Sequence, residues 1–289
     1  MWLKNISGFV ARAGAPQTKS FALGRRATYI DRMRERNQVS KLPLSARRQA
    51  ATGLALALAI VAAWACLHAY AMFVFELRWA SLPLALAMAL LQCWLSVGLF
   101  IVSHDAMHGS LVPRGGRLND MIGGLLLFIY AGFSWRRMRD AHFAHHRVPG
   151  SPDDPDFSAD HPSHFWPWYG QFLKRYFGWQ SVVFVFTVVL TYWLAFGVPV
   201  EKIVLLYGMP AIASSMQLFY FGTFRPHRHG EDGFADRHNA RSDNFGTAAS
   251  LATCFHFGYH HEHHLAPNVP WWHLPAARRQ ASRDEQVTA

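Results

Sequence analysis

Four long apolar runs restrict the folds open to this chain more than any other feature. They cover residues 51–73, 82–103, 181–200 and 203–224, and none contains Lys, Arg, Asp or Glu. Each run has about 20 residues, which as a helix spans roughly 30 Å, the thickness of a bilayer core. Buried helices of a soluble protein are the alternative, but four runs in two close pairs favour membrane spans. We therefore predict an all-α integral membrane fold with four transmembrane helices in two hairpins.

The placement of basic residues predicts the orientation of these spans. The two short links inside the hairpins, residues 74–81 and 200–202, carry one acidic and one basic residue each, and the other Lys and Arg lie outside the hairpins. Two hairpins return the chain to one side, which the positive-inside rule assigns to the cytoplasm. We expect a multi-pass inner-membrane protein with cytosolic termini and a cytosolic helical cap. Its parts are a basic arm (1–50), a membrane-embedded domain (51–276) and a polar, disordered tail (277–289).

The net charge and a shorter apolar run say less about fold and function than the long apolar runs do. The net charge of +10 follows from this topology, and because no nucleic-acid-binding motif is present we expect no nucleic-acid partner. A shorter apolar run, residues 121–133, is too brief to cross a bilayer and is predicted to be interfacial or re-entrant.

Histidine is concentrated in three short clusters that follow the ends of apolar runs. Offsets of three and four residues place side chains on one face of a helix, where imidazoles can bind a transition metal together. The clusters offer eight imidazoles at this spacing, which suits two metal ions better than one. A surface histidine pair is the alternative for any single cluster, but three on one side of the membrane favour a metal site. The clusters read His104-Asp-Ala-Met-His108, His142-Phe-Ala-His145-His146 and His260-His261-Glu262-His263-His264.

The setting of these clusters indicates which metal they bind. Imidazole accepts zinc, copper, iron or nickel, so the ligand type alone does not decide. A metal site beneath apolar helices suits a lipid-soluble substrate, and oxidising an unreactive C–H bond requires redox chemistry that zinc lacks. Iron with dioxygen is the simplest interpretation.

The pattern as a whole resembles the membrane fatty-acid desaturase and hydroxylase superfamily, whose signature is HxxxH, HxxHH and HxxHH. More narrowly, it resembles the bacterial β-carotene ketolases. The resemblance covers nearly all of residues 100–275, whereas residues 1–50 contribute almost nothing to it. It is carried by residues 104–111, 131–134, 142–157, 234–242, 255–264 and 270–272.

This resemblance implies a non-haem site of two iron ions, dioxygen as co-substrate and electrons from a reduced ferredoxin. The implied reaction oxidises ring carbon 4 of β-carotene to a ketone, giving echinenone and canthaxanthin, and leaves open zeaxanthin as a further substrate. A membrane fatty-acyl desaturase or hydroxylase and a carotenoid ring hydroxylase remain alternatives. A metal-transport protein is a third, but spans two to four contain no ionisable residue of the kind that a transport path needs.

The resemblance also extends the set of candidate site residues. A ninth histidine follows the fourth span in the superfamily, and His227 occupies that place, so the expected metal ligands are His104, His108, His142, His145, His146, His227, His260, His263 and His264. Ligating imidazoles usually donate their second N–H to a neighbour, and the candidates for such supporting roles are Asp105, Asp153, Asp154, Asp156, His261, Glu262 and His256, the last also a competing ligand. Residues expected to line a substrate tunnel are Phe133, Trp135, Trp271 and Trp272.

Overall fold

The computed structural model describes residues 44–230, 233–234 and 236–288, and only the backbone of residues 284–288. Most of the predicted basic arm, residues 1–43, lies outside these ranges. Within them the chain is all-helical, without a strand. The helices are α1 (Ala46–Val74), α2 (Trp79–His108), α3 (Gly116–Ala131), α4 (Trp135–Arg147), α5 (Phe165–Tyr176), α6 (Trp179–Ala195), α7 (Val200–His227), α8 (Thr247–Cys254), α9 (His260–Leu265) and α10 (Leu274–Thr288).

Several of these helices contain short segments of different pitch. α2 opens with a 3₁₀ turn, Trp79–Ser81, and a further 3₁₀ turn, Trp271–His273, precedes α10. π-helical segments occur in α1, α6 and α7, at Tyr70–Val74, Thr191–Ala195, Val204–Gly208 and Tyr220–Phe224.

Three described helices, α1, α2 and α7, are long and apolar enough to cross a membrane. The pairs α3–α4 and α5–α6 are bent by 102° and 86°, and each bent pair could form one further span, so the described chain has three to five candidate spans. The predicted runs 51–73, 82–103 and 203–224 lie inside the three long helices. The predicted run 181–200 was too long, because α6 ends at Ala195 and the chain turns at Gly197, where φ is +66°, and at Pro199.

Helix α2 forms the centre of the bundle and packs against α1, α3 and α7. Of its most apolar stretch 61% is buried, against 17% for α1 and 28% for α7. Large apolar side chains on the outer helices remain exposed, as contact with lipid requires; examples are Leu58, Phe186 and Ile212. The helix ends at Gly109, whose φ of +70° stops it directly after His108.

The bend between α3 and α4 requires a glycine. At Gly132, φ is +66°, and a Cβ there would lie 2.5 Å from the Cβ of Phe184. The run 121–133, predicted to be interfacial or re-entrant, therefore forms most of α3 and ends at this sharp turn. Its depth in the membrane stays a prediction.

The carboxy-terminal segment differs from the prediction of a disordered tail from residue 277. Helix α10 continues to Thr288. Leu274 and Ala277 are buried, and Arg278 donates to the buried carboxylate of Glu262 over 2.8 Å. Because one face of the segment packs in this way, a composition rich in Ala, Arg and Gln forms a docked helix.

Candidate metal centre

Four helices bring all nine candidate imidazoles together. The end of α2 supplies His104 and His108, α4 supplies three, the end of α7 supplies His227, and α9 supplies three. They form two groups, in each of which one nitrogen per residue lies within 4.8 Å of the others. The five-histidine group is His104, His108, His142, His146 and His263, and the four-histidine group is His145, His227, His260 and His264.

The x-x-His-His pattern explains why there are two groups. Successive residues of an α-helix point about 100° apart, so His145 and His146 on α4 enter different groups. On α9 the adjacent residues His263 and His264 separate in the same way. Between the groups the rings of His146 and His264 stack with centroids 4.2 Å apart. Helices α4 and α9 thus each contribute to both groups and hold them side by side.

In the five-histidine group the Nε2 atoms converge. His142 Nε2 lies 2.7 Å from His108 Nε2 and 3.2 Å from His146 Nε2, and His146 Nε2 lies 3.0 Å from His263 Nε2. Nitrogens at right angles around an ion with bonds of about 2.1 Å are separated by about 3 Å. Neither ring nitrogen of the buried His104 has a hydrogen-bond partner among the described residues. The donor set therefore fits a transition-metal ion.

The four-histidine group has the same geometry and is entirely buried. His260 Nε2 lies 2.9 Å from His227 Nε2 and 3.1 Å from His264 Nε2, which lies 3.2 Å from His145 Nε2. Burial, reinforced by the neighbouring histidines, lowers the pKa of His260 and His264 well below the usual value. Both rings are therefore neutral and able to donate a lone pair.

Two of these rings are oriented by acceptors behind them. His145 Nδ1 lies 2.9 Å from Asp154 Oδ2, and His227 Nδ1 lies 2.8 Å from the Asn239 carbonyl oxygen. Asp154 is itself held by the backbone N–H groups of Gly150, at 2.7 Å, and Asp156, at 2.8 Å. Such contacts place the proton on Nδ1 and leave the Nε2 lone pair directed into the group.

A narrow cavity touches both groups. Four histidines line it, His104 and His142 from one group and His145 and His260 from the other. Most of its remaining walls are apolar and come from α2, α4, α5, α7 and the loop before α9. The other lining residues are Phe100, Met107, Met138, Asp156, Phe172, Tyr176, Leu218, Gly222, Thr223 and Phe257. An apolar cavity with a few convergent polar groups is the usual form of a binding site.

Comparison with known proteins identifies the family to which this chain belongs. The fatty acid desaturase family matches residues 77–187 and 165–286. The chain belongs to the fatty acid desaturase family. It is similar to a β-carotene ketolase of a Paracoccus species, with 50% identity over 229 residues that cover 79% of this chain and 93% of the relative.

Two further relatives extend the similarity. A β-carotene ketolase from a second Paracoccus strain is 47% identical over 246 residues, covering 83% of this chain and all of the relative. The β-carotene 4-ketolase 3 of Haematococcus lacustris is 31% identical over 261 residues, which cover 81% of each chain. The family match includes all four elements that supply the histidines.

The predicted supporting acids of this desaturase-family site take different positions. Asp154 contacts His145, whereas Asp153 is exposed. Asp156 accepts from the Tyr176 hydroxyl, and burial raises its pKa to about 6. Asp105 accepts from the Trp271 backbone N–H over 3.1 Å and lies 3.9 Å from His104 Nδ1, too far for a hydrogen bond.

The remaining acid and two histidines lie around α9. Glu262 accepts from the Ser242 hydroxyl and from Arg278. His261 Nε2 lies 2.7 Å from Asp236 Oδ2, outside both groups. His256, predicted as a supporting residue or competing ligand, belongs to neither group: α8 ends at Cys254, and the left-handed φ of +63° at His256 keeps it off the helix of His260.

None of the four aromatics predicted to line a tunnel lines this cavity. Phe133 and Trp135 pack behind it, against the cluster of Met107, Leu127, Met138 and Tyr176. Trp271 and Trp272 belong to the core around Phe255. The sequence analysis did not select the residues that line this cavity, although Phe100 and Met138 each lie one helical turn before a candidate ligand, His104 and His142, and so share its face. It also missed the Asn239 carbonyl, for which a side-chain pattern gives no signal.

Proposed function

We propose that this protein is a β-carotene ketolase that oxidises ring carbon 4 of a β-ionone ring to a ketone. The observation that carries the proposal is the largely apolar cavity lined by histidines of both groups. The 50% identity to a β-carotene ketolase supports the choice of substrate. A flat polyene has no charged group, and most of the cavity lining other than the histidines is apolar.

The two histidine groups hold two non-haem iron ions in this proposal. All nine candidate histidines serve as ligands, because each contributes a nitrogen to one of the groups. Bound there, the iron pair supplies oxidation of a C–H bond by dioxygen, which a redox-inactive metal such as zinc does not. Asp154 keeps the imidazole of His145 in the ligating tautomer, and the Asn239 carbonyl does so for His227.

The reaction balances as two successive oxygenations at one carbon. The ring CH₂ group, two dioxygen molecules, four electrons and four protons give one ketone and three water molecules. The second oxygenation produces a geminal diol, which loses water to form the C=O bond. The carbon is allylic, so its C–H bonds are relatively weak. A ferredoxin-type carrier supplies the electrons, and a symmetrical substrate enters twice, giving echinenone and then canthaxanthin.

The protein's own residues position the substrate and exclude water. Phe100, Phe172 and Phe257 form apolar walls that hold the ring beside the histidines. A reacting carbon held in one place avoids the entropic cost of alignment, and a dry site prevents side reactions.

The proposed topology has four crossings in two hairpins, formed by α1 with α2 and by α6 with α7. This arrangement places all nine histidines at the cytosolic face of the inner membrane, with the basic arm (1–50) and the carboxy-terminal segment (277–289) on the same side. Its support is the charge distribution of the loops together with the three long apolar helices.

Expression in cells that accumulate β-carotene tests the proposal. We expect echinenone and canthaxanthin in the pigment extract, and unchanged β-carotene in cells that express His260→Ala. New unsaturated or hydroxylated acyl chains in the lipid extract, with unchanged pigment, would instead identify an acyl desaturase or hydroxylase. Hydroxylated carotenoid without ketone would identify a ring hydroxylase. Either result, obtained with folded and iron-bound protein, overturns the proposal.

A further inference from the structure

We propose that the Asp156 carboxylate binds the hydroxyl group that the first oxygenation places on ring carbon 4, and so retains the alcohol for the second oxygenation. This inference rests on the proposed function, because a ketone formed by two oxygenations at one carbon requires a 4-hydroxy intermediate. Asp156 thereby determines the product, which is a ketone rather than an alcohol released early.

The first oxygenation changes the chemistry of the molecule that the cavity has to hold. β-Carotene is a hydrocarbon and suits apolar walls, but its 4-hydroxy derivative carries an O–H donor. A buried hydroxyl without a hydrogen-bond partner is unfavourable, so wholly apolar walls favour release of the alcohol before the ketone forms. An acceptor inside the cavity reverses this preference, and a charged acceptor does so more strongly than a neutral one.

Asp156 is the one acid among the described residues that line the cavity, where Tyr176 and Thr223 are the other polar side chains besides the four histidines. One carboxylate oxygen, Oδ1, accepts from the Tyr176 hydroxyl. No described residue donates a hydrogen bond to the other oxygen, Oδ2, and the side chain is half-buried rather than enclosed. The carboxylate therefore has one oxygen free to accept from a ligand.

The backbone of Asp156 is fixed on both sides of the side chain. Its N–H donates to Asp154 Oδ1 over 2.8 Å, and its carbonyl oxygen accepts from Trp168 Nε1 over 2.7 Å. The Trp168 side chain is itself fully buried. Together with the Tyr176 hydroxyl on Oδ1, these contacts restrain the carboxylate before a ligand binds, which reduces the ordering cost of binding.

Asp156 also lies close to a candidate metal ligand. A nitrogen of His145, an oxygen of Asp154 and an oxygen of Asp156 all lie within 4.8 Å of one another. Both His145 and Asp156 line the cavity. A ring carbon oxidised beside His145 therefore brings its new hydroxyl close to the Asp156 carboxylate.

The alternative is a purely structural role, in which Asp156 only joins the loop after α4 to α5 through Tyr176. Replacement of Asp156 would then weaken the binding of a hydrocarbon and of an alcohol equally, whereas a hydroxyl-binding role weakens the binding of the alcohol alone. Thr223 and Tyr176 are weaker candidates for this role, because both are neutral and Tyr176 already donates its hydroxyl hydrogen to Asp156.

Binding of two carotenoids to the full-length, iron-bound protein in nanodiscs tests the proposal, without dioxygen or reductant so that no turnover occurs. The quantity compared is the Kd of β-carotene divided by the Kd of 4-hydroxy-β-carotene. We expect Asp156→Leu, which removes the acceptor from a side chain of similar size, to lower this ratio about tenfold. Asp156→Asn, which keeps a neutral acceptor, should lower it about threefold. Asp153→Leu, the same change at an exposed position of the same loop, should leave it within about twofold of wild type.

Pigment extracts provide a second readout. In cells that accumulate β-carotene, Asp156→Leu should raise the proportion of 4-hydroxy to 4-keto carotenoid about tenfold over wild type, because the alcohol leaves before the second oxygenation. A structural role lowers total oxidation and leaves this proportion unchanged.

An unchanged Kd ratio in Asp156→Leu, an equal weakening of both ligands, the same fall in Asp153→Leu, or an unchanged proportion of alcohol in the extract overturns the role of Asp156. If Asp156→Leu does not fold, Asp156→Asn decides, and a Kd ratio equal to that of wild type overturns the role. Ketone formation by wild-type protein together with any of these results refutes this inference alone. Wild-type protein that forms no ketone from β-carotene counts against the proposed function, whatever the Kd ratio is.

Discussion

At the residue scale, two pairs of adjacent histidines, His145-His146 and His263-His264, determine how the site is arranged. In each His-His pair one ring enters the five-histidine group and its neighbour enters the four-histidine group. The residues four apart, His142 with His146 on α4 and His260 with His264 on α9, share a group, and the third histidine of each helix enters the other group. The pair also fixes the spacing between the groups, since neighbouring Cα atoms are about 3.8 Å apart.

Replacement of a single ligand tests this assignment. We expect His145→Ala to reduce activity at least about 100-fold, because it removes a buried ligand from the four-histidine group. His161→Ala should keep most of the activity, since His161 is exposed. The measurement is ketone yield per folded protein together with iron content, and equal yields for the two variants would show that the ligand set is wrong.

The Asp153–Asp154 pair offers a closer comparison. Asp154→Asn removes the negative charge that orients His145 and should lower activity or metal affinity by about 10- to 100-fold. Asp153→Asn changes the next residue in the same way, but its exposed side chain should leave both quantities near wild type. Iron retention during dialysis measures the affinity, and similar losses in both variants would contradict the orienting role of Asp154.

Much of the site could be predicted at this scale. Helical spacing indicated eight of the nine imidazoles, and family resemblance added His227. Position along the chain did not decide between Asp153 and Asp154, because only the path of the loop determines which carboxylate turns inward. The four aromatics near the clusters do not line the cavity; Trp271 and Trp272, for example, pack into the core around Phe255.

At the element scale, hydropathy located three of the helices well and the fourth less well. The runs for α1, α2 and α7 were found because each exceeds the length of a bilayer core without a charge. Helix α6 has twelve α-helical and five π-helical residues and turns by 86° from α5. A window of hydropathy does not register that bend or the turn at Gly197, so the predicted run continued to residue 200.

The bend between α3 and α4 gives a prediction about stability. Gly132→Ala forces a left-handed residue with a Cβ against Phe184 and should lower the midpoint of thermal unfolding by about 4–8 °C, equivalent to about 2 kcal/mol. Gly124→Ala is the control, since its Cβ would lie an ordinary 3.6 Å from Trp135. Unfolding in detergent, followed by circular dichroism, measures both; equal midpoints would show that the turn tolerates a side chain.

At the scale of the whole molecule, the two buried histidine groups predict that stability depends on a bound metal. The rings of both groups are buried or half-buried and approach one another through Nε2. Without an ion these lone pairs face one another in a region that excludes water, which is unfavourable. An ion that binds only the folded state stabilises it in proportion to its affinity.

Removal of the metal should therefore destabilise the entire bundle. We expect chelation to lower the midpoint of thermal unfolding by roughly 5–10 °C and re-addition of ferrous iron to restore it. His161→Ala should show the same shift as wild type, because it leaves both groups intact. An unchanged midpoint after verified loss of iron would mean that the groups are stable without an ion.

The stoichiometry of the reaction tests the central claim most directly. Purified protein with two bound irons, in nanodiscs, is supplied with β-carotene, dioxygen and reduced ferredoxin, and ketone formation is measured together with oxygen consumption. The account predicts a keto group at ring carbon 4 and about two dioxygen molecules consumed for each ketone formed. Oxygen consumption without ketone, or ketone formation by protein that lacks iron, would contradict it.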